Sequence, residues 1–273
     1  MWPLMRLASV TLVAAIVVLV LGLADEAYRL LTAAVSAVGR DLAVPTGAEL
    51  PPVVTAVAAA VGLAVSDPRR RGLGRAVSHA VTFLHELGHV LVAAACGARP
   101  SGVVLNHDTS GHATSRWRAG SGPIRRLQQA AVATFGYPAA PTFTAAGAAL
   151  LVFAGPRPVL WAIAGAAVLV AVLARSLWTA VVAGVLGAVA AVALSDVGVP
   201  YAAGVAVALL VAVAVNKVVV EVRRYRRPIA HGHDALAVRR LVGVPARLVQ
   251  TVQLTWSVAA AGWTLWLIWR AVG

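Results

Sequence analysis

His85-Glu86-Leu87-Gly88-His89 is an HExxH pattern. On an α-helix, positions four apart lie on one face, so the two imidazoles can share one tetrahedral metal ion while Glu86 stays on the same half of the helix. Zinc lowers the pKa of a water it carries toward 7. A carboxylate beside that water can take its proton and later hand it to a leaving amine. The chemistry is metal-assisted hydrolysis of an amide bond. With seven His and four Glu in 273 residues, chance would supply about 0.003 such patterns, so coincidence is a poor explanation. A purely structural role is also costly, because Glu and His inside an apolar helix each cost roughly 2 to 3 kcal/mol unless they face a partner or a cavity. The single cysteine, Cys96, excludes a disulfide framework and a CxxC zinc ribbon. Any metal must be held by His, Asp and Glu.

The element that carries the motif is apolar, and so is most of the chain. Sixty per cent of the residues are hydrophobic and 12% charged, about half the charged share of an average soluble domain. Too few charges are present to cover a soluble surface, which implies an integral membrane protein. The net charge of +13 does not imply nucleic acid, since the arginines sit in short clusters between apolar runs with little aromatic interleaving. A helix needs about 20 apolar residues to cross the hydrocarbon. Eight runs approach that length, at roughly 7 to 24, 50 to 66, 76 to 96, 130 to 154, 158 to 174, 177 to 195, 200 to 220 and 248 to 269. The first follows Arg6 and ends in small residues, as a cleavable signal peptide does, but is long for one. The Ala, Val and Gly bias is what close helix packing in lipid requires. The expected fold is an all-α polytopic membrane protein of about eight transmembrane helices. Residues 1–75 form N-terminal spans and a linker, 76–247 the core, and 248–273 a C-terminal span.

Basic residues are retained on the cytoplasmic side. Of the 23 Lys and Arg, the alternating topology puts seven on one side and sixteen on the other, the latter including Arg116, Arg118, Arg125, Arg126 and the 217–247 cluster. By this count the motif span ends at the cytoplasm, with His89 seven residues, about 10 Å, inside Cys96. Trp256, Trp263, Trp266 and Trp269 fall in the last span, where the terminal ones suit an interfacial belt.

An apolar HExxH helix, then a glycine-containing hairpin, then more spans resembles the site-2 protease family of intramembrane zinc metalloproteases, over most of residues 76–260. More narrowly it is similar to a compact bacterial branch. There HExxH is followed by a DTSG stretch, here Asp108-Thr109-Ser110-Gly111, by a Gly-Tyr-Pro, here Gly136 to Pro138, and late in the chain by an SDA-like element, here His233-Asp234-Ala235.

Two histidines and a water leave zinc one protein ligand short, and the resemblance implies an aspartate from a distant segment. Asp25, Asp41 and Asp67 precede the motif, and Asp196 falls in a turn on the side opposite the densest basic loops. Asp108 and Asp234 are left. Asp234 is favoured because it opens an amphipathic Asp-Ala-Leu-Ala-Val-Arg-Arg-Leu, which also suits a helix cap. The better-studied relatives use an Asp-Gly pair, which this chain lacks. His231 and His233 could act as ligands or orient the carboxylate. His107 and His112 flank the 108–111 turn, and His79 is expected to line the outer end of the site.

Residues 102–117 alternate loosely around a turn at Asn106 to Gly111, which reads as a β-hairpin. Its free edge could hold an extended peptide by main-chain hydrogen bonds, and the resemblance implies the same use. The Gly136 to Pro141 stretch is expected to bend the fourth span.

The resemblance thus implies a zinc metalloendopeptidase in a bacterial plasma membrane, with its active site toward the cytoplasm. His85, His89 and Asp234 would hold zinc and Glu86 would be catalytic. The partners would be a membrane-protein substrate and the lipid bilayer, without nucleic acid. Two other readings stay open. A ZIP-like zinc transporter would need further intramembrane ligands, and the one other polar cluster, Asn216, Lys217 and Glu221, is expected at an interface. A noncatalytic zinc-binding membrane partner protein would show the same motif residues.

Overall fold

The computed structural model describes residues 73–118, 122–195, 202–229 and 233–272. The runs at 7 to 24 and 50 to 66 lie outside the described residues, as do Asp25, Asp41, Asp67, Asp196 and His231. The described chain runs α1 (Leu73–Ala95), β1 (Arg99–Leu105), β2 (Gly111–Arg116), α2 (Pro123–Ala154), α3 (Pro156–Leu173), α4 (Leu177–Leu194), α5 (Ala202–Tyr225), α6 (Asp234–Val242) and α7 (Ala246–Val272). Four of these helices, α2 to α5, are long and apolar enough to cross a membrane. The expected spans at 76 to 96 and 248 to 269 are helices as well, α1 and α7. Their hydropathy is lowered by polar residues turned inward: His79 and Glu86 on α1, and Gln250, Gln253, Ser257 and Thr264 on α7, all buried.

Helix boundaries follow local chemistry. Pro123 and Pro156 open α2 and α3 from the first turn, where a missing N–H costs nothing. Ser176 caps α4 by accepting from the Thr179 amide at 3.2 Å. Gly243, in the left-handed region at φ 77°, ends α6.

Burial is distributed as lipid demands. Inside, fully buried alanines such as Ala139, Ala140, Ala148 and Ala214 let the helices approach closely. Outside, large apolar side chains face away from the protein, with Phe153 82%, Leu177 70% and Trp161 66% exposed. Polar side chains inside and bare hydrophobic ones outside are the arrangement of an integral membrane protein. The four tryptophans of the last span are all exposed on α7.

The hairpin begins three residues earlier than its alternation suggests. It folds back along α1. The tip is pinned there by Arg75, whose Nη2 donates to the His107 carbonyl at 2.6 Å, and by Thr82, whose hydroxyl donates to the Thr109 carbonyl at 2.7 Å. Val103 and Leu105 of β1 are buried against Phe83, Leu87 and Val90 of α1. Non-helical backbone packed among apolar helices is tolerated only where its polar groups are paired or line a cavity. On one side β1 is tied down, since the Arg175 amide donates to Val103 O at 2.9 Å and the Leu105 amide donates to Thr179 Oγ1 at 2.8 Å. On its other side β1 pairs with β2 in antiparallel register, Val103 opposite Ala113 and Leu105 opposite Gly111. Thr109, at φ 67°, takes the left-handed position of the turn.

Candidate metal centre

HExxH positions its two histidines by helix geometry alone. In α1 their Nε2 atoms stand 3.1 Å apart. His89 is oriented from behind, because its Nδ1–H donates to the Val132 carbonyl of α2 at 2.7 Å, which leaves Nε2 bare. His85 is held by packing: the Tyr137 ring meets it edge on, centroids 4.8 Å apart. Tyr137 in turn stacks flat on His233, at 4.7 Å and 6°, and its hydroxyl accepts from Arg224 at 3.1 Å.

The third group arrives from the start of α6. Asp234 Oδ2 lies 3.3 Å from His85 Nε2 and 3.4 Å from His89 Nε2. His233, just before it, caps the helix by accepting the Ala235 amide on Nδ1 at 3.1 Å, and its Nε2 lies 3.2 Å from Gln250 Nε2 of α7. The helix start is thereby fixed against two neighbours. Burial works to raise the pKa of Asp234, but His85 and His89 outweigh it and hold the carboxyl well below the usual carboxylate range.

Tetrahedral coordination with bonds of about 2.0 Å requires ligand atoms about 3.3 Å apart. The observed edges are 3.1, 3.3 and 3.4 Å. Asp234 Oδ2 is also buried with no hydrogen-bond partner of proper geometry among the described residues, which an ion at the centre of the triangle would supply. The donor set of two imidazoles and a carboxylate leaves one position open, the pattern of a catalytic zinc site. The residues fit the metal.

Glu86 is buried beside this triangle, with Oε1 4.0 Å from His85 Nε2 and Oε2 unpartnered among the described residues. Gly111 of β2 faces it so closely that a Cβ there would meet Glu86 Oε1 at 3.0 Å. A cavity of about 630 Å³ opens in front of these groups, lined by His85, Glu86 and Asp234, by Gly111 and Ala113 of β2, and by Asn216 of α5. Its rim carries Arg223, Arg224 and Arg227.

Other residues fall elsewhere. Asp108 stands at the hairpin tip, where Ser110 donates to Oδ1 from its hydroxyl at 2.6 Å and its amide at 3.0 Å. Those bonds lower its pKa from the ordinary value, and it takes no part in the cluster. His79 does not line the site but packs on Trp178, centroids 5.3 Å apart, and His107 lies against the same ring at 4.2 Å. His112 lines the cavity. The Asn216, Lys217 and Glu221 cluster faces the inside of the protein. All three are buried within the bundle, Lys217 Nζ donates to Glu221 Oε1 at 2.7 Å, and Lys217 lies 4.5 Å from the Tyr137 ring centroid. Its i, i+4 spacing was visible in the sequence, but the partner ring comes from another helix.

Gly136 completes the centre. A Cβ at this position would collide with His89 Nε2 and His85 Cε1, so any larger residue would force the imidazoles or α2 to shift. Two residues later Pro138 has no N–H to give the Thr134 carbonyl. Gln253 of α7 donates to that carbonyl instead, at 3.2 Å.

A family model described as Peptidase M50B-like matches residues 53–267. The chain belongs to this family. It is the site-2 protease family that the motif pattern resembles, and at the level of the family the chain is a membrane metallopeptidase. M50 peptidases are zinc enzymes, which agrees with the donor set found here. The match begins upstream of α1 and runs into α7, so hairpin, triangle and α6 all fall within it. No curated protein and no solved structure gives a match.

Proposed function

We propose that this M50B-like chain is an intramembrane zinc endopeptidase that hydrolyses a peptide bond in or next to a substrate's membrane helix. The observation that carries this reading is the triangle of His85, His89 and Asp234, whose edges match a tetrahedral zinc site, with the Glu86 carboxylate buried beside it. Zinc, when bound, supplies a Lewis acid that polarises the scissile carbonyl and makes water a nucleophile near neutral pH.

The chain's own residues supply the rest. Glu86 accepts the proton of the attacking water on its carboxylate and returns it to the departing nitrogen, so the amine leaves neutral. Tyr137 and Val132 hold the two imidazoles in register by a ring contact and a hydrogen bond, so the ligands need not reorganise during turnover. The substrate segment unwinds and adds as a strand to the outer edge of β2, because β1 occupies the inner edge. That edge reads main chain and not sequence. The excess of Lys and Arg at 217–247 supports a centre toward the cytoplasmic face, and the family resemblance supports a bacterial plasma membrane.

The membrane proteomes of cells expressing wild type and Glu86→Gln test this reading. The variant keeps the zinc ligands and loses the proton shuttle. Intact single-span proteins accumulate only with the variant, and their fragments only with wild type. Identical proteomes, with one zinc bound per purified chain, would remove the protease reading and make zinc flux the next measurement.

A further inference from the structure

Asn216 is 0% exposed in the middle of α5, and neither its Oδ1 nor its Nδ2 has a hydrogen-bond partner among the described residues. Its neighbour is fully employed without it: Lys217 donates to Glu221 and lies over Tyr137. A buried amide with both halves unbonded is destabilising, and an apolar side chain of the same shape would avoid that cost. The amide therefore needs a partner that is not part of the described fold.

The position of Asn216 indicates where such a partner comes from. It lines the same cavity as His85, Glu86 and Asp234, and so does the outer edge of β2. It lies nine residues, about 13 Å, before the end of α5 at Tyr225. A carboxamide offers an N–H donor group and a carbonyl acceptor with no net charge, which complements a peptide group. Its χ2 torsion has broad wells, so the plane of the amide is not fixed by the rotamer alone.

We infer that Asn216 hydrogen-bonds the main chain of the substrate, gripping from α5 the extended segment that β2 pairs with. This rests on the peptidase reading above and adds a second, sequence-indifferent contact. A strand held by one edge can still swing about it. A second contact fixes which carbonyl faces the metal centre.

The test uses the zinc-loaded full chain in detergent with two probes, acetohydroxamic acid, which reads only the metal, and N-acetyl-Leu-Ala-Ala hydroxamate, which reads metal and peptide contacts. The variants are Asn216→Leu and Asn216→Ala, with thermal melting and zinc content measured beside binding. In Asn216→Leu the peptidyl hydroxamate binds about tenfold more weakly, as for one lost hydrogen bond to a peptide, while acetohydroxamic acid changes by less than about twofold. Zinc content is unchanged, and the melting temperature is equal or higher because an unpaired buried amide has gone. Unchanged affinity for the peptidyl probe overturns the inference. So does a lowered melting temperature with both probes weakened alike, which would make Asn216 a packing residue. Asn216→Ala gives the same comparison should leucine prevent folding. If wild type holds zinc but binds neither hydroxamate, the peptidase reading itself falls, and this inference with it.

Discussion

Gly136→Ala is the smallest change that should dismantle the metal centre without touching a ligand. The added Cβ would sit inside van der Waals distance of His89 Nε2 and of His85 Cε1. Helix α2 also packs against α5, α6 and α7, so withdrawing from α1 would disturb those contacts. Either the imidazoles turn or the helices part by about 1 Å, and overpacking of that kind costs about 1 to 3 kcal/mol. A displacement of about 1 Å is half of a zinc–nitrogen bond of about 2.0 Å, so both histidines cannot stay bound. Zinc affinity should fall at least about 100-fold, equivalent to about 2.7 kcal/mol. Competition with a calibrated chelator measures the affinity, and melting of the metal-free protein measures the packing cost separately. Gly165→Ala in α3 is the control, because a Cβ there meets nothing within 4 Å. It should bind zinc as wild type does and gain up to about 1 kcal/mol in helix propensity. Wild-type zinc affinity in Gly136→Ala would refute the geometry argued for α2 over the imidazoles.

Two further outcomes follow from the same contacts. Asp234→Ala, which leaves zinc two imidazoles, should lower zinc affinity by more than about 100-fold, beyond the 10- to 100-fold typical of an orienting partner. Asp108→Ala should leave affinity unchanged; the reverse ranking, read by the chelator assay, would assign the third ligand to the hairpin tip. Gln253→Leu strips the Thr134 carbonyl of its donor below Pro138, which should lower stability by about 1 to 3 kcal/mol. Denaturation of the purified protein reads that loss, and an unchanged midpoint would mean the carbonyl finds another donor.

The membrane character and the motif helix were legible because both depend on short-range pattern. Composition counts charges against surface, and the four-residue spacing of His85 and His89 fixes their common face in any α-helix. The hairpin was legible as turn residues between alternating strands, but its placement was not. That depends on Arg75 and Thr82 capturing the tip, and nothing in the local alternation says which way a hairpin folds. The polar cluster on α5 was visible as Asn216, Lys217 and Glu221. Their burial was not, since it depends on Tyr137 arriving from α2.

The sequence by itself determined that the chain is built for lipid, that residues 85 to 89 present two imidazoles and a carboxylate on one half of a helix, and which aspartates remained as partners. Tertiary structure decided which of Asp108 and Asp234 stands beside the two histidines, because His89 and Asp234 are 145 residues apart and their meeting depends on α6 docking against α2 and α7. It also decided why residue 136 is a glycine. Helical periodicity is a property of neighbouring residues, whereas the approach of one helix to another is set by side chains contributed from both, and no single segment contains that information.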